Sequence, residues 1–145
     1  MSASFPYHRR IQFAETDMAG IVHFSRYFRF MEEAEHALWR AAGLSIAEPT
    51  HGWPRVAAAF DYKRPLRFED EFDVHLRIAE ITRRTMRYAC RIAQGDATIA
   101  TGELTIACVR RVAGEPMKSV EIPPEIAARF QVVAEGTGDL GLGAG

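Results

Sequence analysis

A single carboxylate, Asp17, stands three residues before Gly20 and just ahead of an aromatic run in the stretch TDMAGIVHFSRYFRF, residues 16–30. Two kinds of chemistry suit that placement. An aspartate shortly before a helix commonly serves as a turn or capping residue, accepting backbone N–H groups. The same carboxylate can attack a carbonyl, or direct water onto it, where a helix start lies alongside. Exposed amide hydrogens at a helix N-terminus carry partial positive charge, which favours both an anion and a developing oxyanion. Gly20 would allow a positive φ or a close backbone approach to substrate. His23 can either pack beside the aromatic segment or orient water or substrate.

Other chemistries find less support. His8, His36, His51 and His75 are scattered without ligand spacing such as HExxH, so no metal site is predicted. Cys90 and Cys108 sit in apolar stretches without CxxC spacing, which reads as buried reduced thiols in a reducing compartment. No Ser-His-Asp or Cys-His arrangement is visible. Glu32, Glu33 and Glu35 fall one to two turns farther along the helix and read as a solvated face or ion pairs.

The elements that must position Asp17 follow from periodicity. Residues 5–15 alternate partially, with Tyr7, Arg9, Ile11 and Phe13 on one side, and predict a first strand. From Phe24 to Gly43, apolar positions recur at three and four through Tyr27, Phe28, Met31, Ala34 and Leu38. That spacing predicts one long amphipathic helix with Ser25 as cap, Gly43 as terminator and an Arg29–Glu33 surface pair. The prolines and glycine of AEPTHGWP predict a loop. Period-two patterns then predict strands in RVAAAFDYKRP, EFDVHLRIAEIT, TMRYACRIAQ and ATIATGELTIACVRR, with a hairpin at Gly95 and Asp96. Leu104, Ile106 and Cys108 share a face, and Pro123–Pro124 open a short helix. A strand, a long helix and four antiparallel strands make an α+β layer arrangement whose sheet must bury a face on residues 24–43.

Composition limits the function classes. The chain has 145 residues, 48% hydrophobic, with 18 basic and 19 acidic side chains and a formal net charge of -1. A general polyanion binder is disfavoured, so no nucleic-acid partner is expected, although Arg9–Arg10, Arg83–Arg84 and Arg110–Arg111 could meet phosphates. No apolar run approaches the roughly 18 residues that span a bilayer, and no charged-then-apolar leader opens the sequence. A cytoplasmic protein without a membrane partner is the expectation. The domain is expected over residues 1–135, followed by a flexible glycine-rich tail over 136–145.

The stretch ETDMAGIVHFSRYFRFMEEA, with its D-x-x-G-[IV]-V core, resembles the 4-hydroxybenzoyl-CoA thioesterase-like acyl-CoA thioesterases of the hotdog fold. The likeness continues through DYKRPLRFEDEFDV to IPPEIAARF. It implies a curved antiparallel sheet of about five strands around the long helix, assembled as a homodimer or homotetramer with acyl-CoA at subunit interfaces. It implies Asp17 as the catalytic carboxylate and the Phe24 backbone amide as the group polarising the thioester carbonyl. Gly20, Val22 and His23 then line the substrate. So do Ala58, Ala59 and Phe60 of VAAAFDY, facing a partner's Asp17, while Arg83 and Arg84 meet the coenzyme A phosphates. No cofactor is implied, because coenzyme A is part of the substrate.

Elementary chemistry agrees. A thiol leaving group has a pKa of about 8.5 and scarcely needs protonation, so one carboxylate with oxyanion donors suffices. An amine leaving group would demand a general acid as well. The alternatives are a hotdog hydratase or dehydratase acting on acyl-CoA or acyl carrier protein, which would make His23 indispensable, and a noncatalytic acyl-thioester binding module.

Overall fold

The computed structural model describes residues 4–134, so the tail expected over 136–145 lies outside the described residues. The elements run β1 (Phe5–Arg10), α1 (Arg26–Ala41), β2 (His51–Gly52), β3 (Arg55–Tyr62), β4 (Glu71–Ile81) and β5 (Thr85–Gln94). They continue with β6 (Ala97–Ala107), β7 (Val109–Arg110), β8 (Lys118–Ser119) and α2 (Pro124–Ala127). The main sheet is antiparallel with order β1-β4-β5-β6-β3, and β2, β7 and β8 form a small second sheet. This is the five-stranded α+β arrangement expected from the sequence.

Alternation in β4 sets the core face. Phe72, Val74, Leu76 and Ile78 are buried, while the residues between them are at least partly exposed. Each fully buried side chain of this kind contributes about 1.5–3 kcal/mol of transfer free energy. They meet Tyr27, Phe30, Met31, Ala34 and Trp39 of α1, joined on the sheet side by Met86, Tyr88, Cys90 and Ile106. Leu104, Ile106 and Cys108 share the buried face as predicted. Both cysteines are free, and burial pushes the Cys90 thiol up to about 12. Gly43 at φ +79 ends α1, letting the Leu44 amide donate back to the Trp39 carbonyl at 2.9 Å.

Three local readings change. The first strand stops at Arg10, and Phe13 lies in a 3-10 turn, 73% exposed, with its ring edge-on to Phe68. Glu33 does not serve Arg29 on the helix surface but binds Arg9 of β1 at 2.6 Å. Of the two readings of Glu35 the ion pair holds and the solvated face does not: it is fully buried and paired with Arg55 at the start of β3. Both acids face oppositely charged partners on strands, contacts that helix periodicity does not encode. No helix of the described residues is long and apolar enough to cross a membrane.

Candidate active site

Asp17 sits in a tight loop between two arms joined at Thr16 and Val22. Its amide donates to the Ile21 carbonyl, and its own carbonyl accepts from Gly20, each at 2.9 Å. Gly20 takes φ +82, the left-handed conformation that the turn needs. Asp17 Oδ1 accepts the Ala19 amide at 2.9 Å, whereas Oδ2 accepts no hydrogen bond from the described residues. The turn role and a chemical role are therefore compatible: one oxygen orients the carboxylate, and the other is available.

The second arm leads into α1. Val22 is buried and its amide donates to Leu66, while the His23 amide donates to the Glu15 carbonyl at 3.1 Å. The Ser25 amide donates to His23 Nδ1 at 3.3 Å, and the Arg26 amide to the His23 carbonyl at 2.9 Å. Between them, the Phe24 amide has no acceptor among the described residues. Because His23 Nδ1 accepts, its ring proton is assigned to Nε2. Ser25 occupies the expected cap position, but its hydroxyl contacts His23 Nδ1 at 2.8 Å rather than capping the helix. The His23 ring accepts the Ser25 amide and packs at a tilt against Phe24, with centroids 4.6 Å apart.

Sequence reasoning missed the group beneath this loop. Glu15 is only 6% exposed, and Arg9 grips both of its oxygens at 2.6 and 2.7 Å. Arg9 also binds Glu33 of α1 and lies over the Phe30 ring, 4.8 Å from its centroid. Burial opposes ionisation of Glu15, yet Arg9 and the Gln12 amide hold its carboxyl below the usual range.

A polar cleft of about 400 Å³ opens beside the loop, lined by Asp17, His23 and Ser25 and by two residues to which the sequence reading gave no site role, Arg26 and Arg29. Their i, i+3 spacing on the first turns of α1 was the available signal. A larger cavity of about 540 Å³ lies between the end of α1, β4 and the segment after α2. Among the described residues its lining carries no carboxylate or histidine, whereas that of the smaller cleft carries both. Among the described residues no group of three or more His, Cys, Asp or Glu is placed to hold a metal ion.

The remaining expected site residues stand apart from Asp17 within one chain. Tyr62, at the end of β3, donates its hydroxyl to the Phe24 carbonyl at 3.0 Å. Ala58 and Ala59 lie farther back on β3, both exposed, and half-buried Phe60 packs edge-on against Phe28 at 5.0 Å. Arg83 and Arg84 turn between β4 and β5, at the sheet end where Thr85 and Arg55 sit beside Ala107 and Ile106, opposite the Tyr62 end. Arg83 pairs with Glu121 at 3.0 Å, and Arg84 donates to the Ser119 carbonyl and hydroxyl at 3.1 Å.

A long helix on a five-stranded antiparallel sheet is the hotdog architecture, shared with thioesterases of known structure. The chain matches the model of the Thioesterase-like superfamily over residues 11–130, and it belongs to that family. A relative in Aquifex aeolicus, whose name goes no further than a provisional assignment as an esterase, is 35% identical over 84% of this chain and 94% of its own. The 1,4-dihydroxy-2-naphthoyl-CoA hydrolase of Synechococcus elongatus is 25% identical over 92% of this chain and 99% of its own. Among solved structures, a gentisyl-coenzyme A thioesterase superposes with a TM-score of 0.78 at 26% identity, covering 87% of this chain and 99% of that one.

Proposed function

We propose that the protein hydrolyses an acyl-CoA thioester to the free acid and coenzyme A, with Asp17 as the carboxylate and the Phe24 amide as the oxyanion donor. The observations that carry this reading are an oriented carboxylate, one oxygen unspent, lining a polar cleft, and an unspent amide on the neighbouring arm, two residues before α1. As general base, Asp17 takes a proton from water, and the hydroxide adds to the carbonyl carbon. As nucleophile, its own oxygen adds, the C–S bond breaks to leave a mixed anhydride, and water then hydrolyses that anhydride. On both routes the oxyanion accepts from the Phe24 N–H, and the thiolate leaves without an acid.

The edge strand supports a homo-oligomer. Among the described residues β3 pairs only with β6, and its residues Val56 to Ala59 are exposed on both faces, which leaves an apolar edge for a second copy. Two-fold pairing along β3 sets the Arg55 end of one copy beside the Tyr62 end of the other. Ala58, Ala59 and the Arg83–Arg84 turn of one copy then approach the other's Asp17. The Arg83–Glu121 pair is exposed and screened by solvent, so a coenzyme A phosphate can displace it. We extend the same reading to a homotetramer and, on the two free thiols, to a cytoplasmic enzyme.

The test is thiol release from short, long and aromatic acyl-CoAs by wild type and Asp17→Asn in parallel. The aromatic arm is suggested by the naphthoyl and gentisyl substrates in the relatives' names. Wild type should release thiol, and the variant should lose at least about a hundredfold. Binding without turnover by both proteins would instead favour the binding module, and hydration without thiol release would favour the hydratase.

A further inference from the structure

We propose that Glu15 is a positioning residue for this reaction, holding Asp17 and the Phe24 amide in register through its ion pair with Arg9; the proposal rests on the thioesterase reading above. Glu15 is the residue where the two arms of the site meet. Along the chain it is separated from Asp17 only by Thr16. Across the loop its carbonyl accepts the His23 amide, and the next amide is that of Phe24. A shift of Glu15 therefore moves the carboxylate and the oxyanion donor together.

Its side chain is fixed by three elements. Arg9 comes from β1, which pairs with the central β4; the Gln12 amide bonds Glu15 Oε1 at 2.8 Å; and Arg9 is itself pinned by Glu33 and Phe30 of α1. The helix that follows Phe24 and the loop that carries Asp17 are thus tied to one guanidinium. Arginine suits this task because its planar fork can bind two carboxylates at set angles, which a lysine cannot do. A buried ion pair is a poor way to add stability, since apolar residues of similar volume commonly do as well. What it supplies is a fixed geometry, and reaction rates are steep in geometry: a misplacement of about 1 Å can cost a hundredfold.

The experiment compares Glu15→Gln and Arg9→Lys with wild type, and Glu15→Gln/Asp17→Asn with Asp17→Asn, on the best acyl-CoA of the panel. Both single variants should lower kcat by about ten- to a hundredfold while KM stays within about threefold, since neither side chain needs to touch substrate. In the Asp17→Asn background Glu15→Gln should remove clearly less than it removes in wild type, because the part that acts through the carboxylate is already gone and only the part through the Phe24 amide is left. Amide exchange should accelerate at Asp17 and His23 and stay unchanged in β4 to β6. A purely structural residue would lower melting temperature and exchange protection throughout, with the same fold loss in both backgrounds. Unchanged kcat in folded Glu15→Gln, or equal losses in the two backgrounds, overturns the proposal. If Glu15→Gln does not fold, Arg9→Lys, which keeps the charge, decides by its kcat and its exchange pattern. Full activity in Asp17→Asn alone would instead overturn the thioesterase mechanism, a separate result.

Discussion

Replacing Arg55 with methionine should strand the most deeply buried carboxylate of the described residues. Glu35 is 0% exposed in the middle of α1, and Arg55 reaches it with two nitrogens, at 2.5 and 3.2 Å. Arg55 also bonds Glu32 at 3.1 Å, a half-exposed contact whose loss costs about 0–1 kcal/mol. The contact with Glu35 outweighs it. Removing one partner of a buried pair costs about 3–5 kcal/mol, because the remaining charge is left uncompensated. His36 Nε2, at 4.0 Å, is too distant to replace the fork. For a chain of this length each kcal/mol moves the melting temperature by about 3–4 °C, so Arg55→Met should lose about 9–20 °C. Urea unfolding at fixed protein concentration checks the free energy, because β3 is also the proposed pairing edge. Glu35→Leu/Arg55→Met should recover most of the loss, since the stranded charge goes with its partner. A single variant within about 1 kcal/mol of wild type, or a double variant as unstable as Arg55→Met, would refute the reasoning.

Gly102 lies opposite Phe60 in the β3–β6 register, and a Cβ there would stand 2.6 Å from the Phe60 ring. Gly102→Ala should destabilise the protein by about 1–3 kcal/mol and alter acyl-chain preference through the displaced ring, as read by melting and by the substrate panel. His8 is exposed on β1 between Glu71 and Asp73, and hydrogen bonds to those two acids raise its pKa above 6.5. A raised native value means the stabilisation is complete below about pH 6.5 and fades as pH rises through the native value. The melting-temperature gap between wild type and His8→Gln should therefore be wider near pH 5.5 than near pH 9, and an unchanged or reversed gap would contradict the pairing.

Local pattern determined most of the framework. The period of two in EFDVHLRIAEIT fixed which residues of β4 are buried, the period of three and four placed α1 within two residues at each end, and the Asp17–Gly20 spacing marked a turn with positive φ. These features depend on neighbours a few residues apart, so a sequence displays them directly. Only the tertiary structure decided the charges. Arg9 finds Glu33 across 24 residues and Arg55 finds Glu35 across 20, pairings that depend on how a helix lies on a sheet. The Ser25 hydroxyl does not cap α1 because it is held by the His23 ring from the preceding turn. The unspent Phe24 amide became visible only when the acceptors of its neighbours, Leu66 and Glu15 among them, were in place. Hydrophobic periodicity is a property of each element alone, whereas the availability of a donor and the burial of a charge belong to the whole packed arrangement.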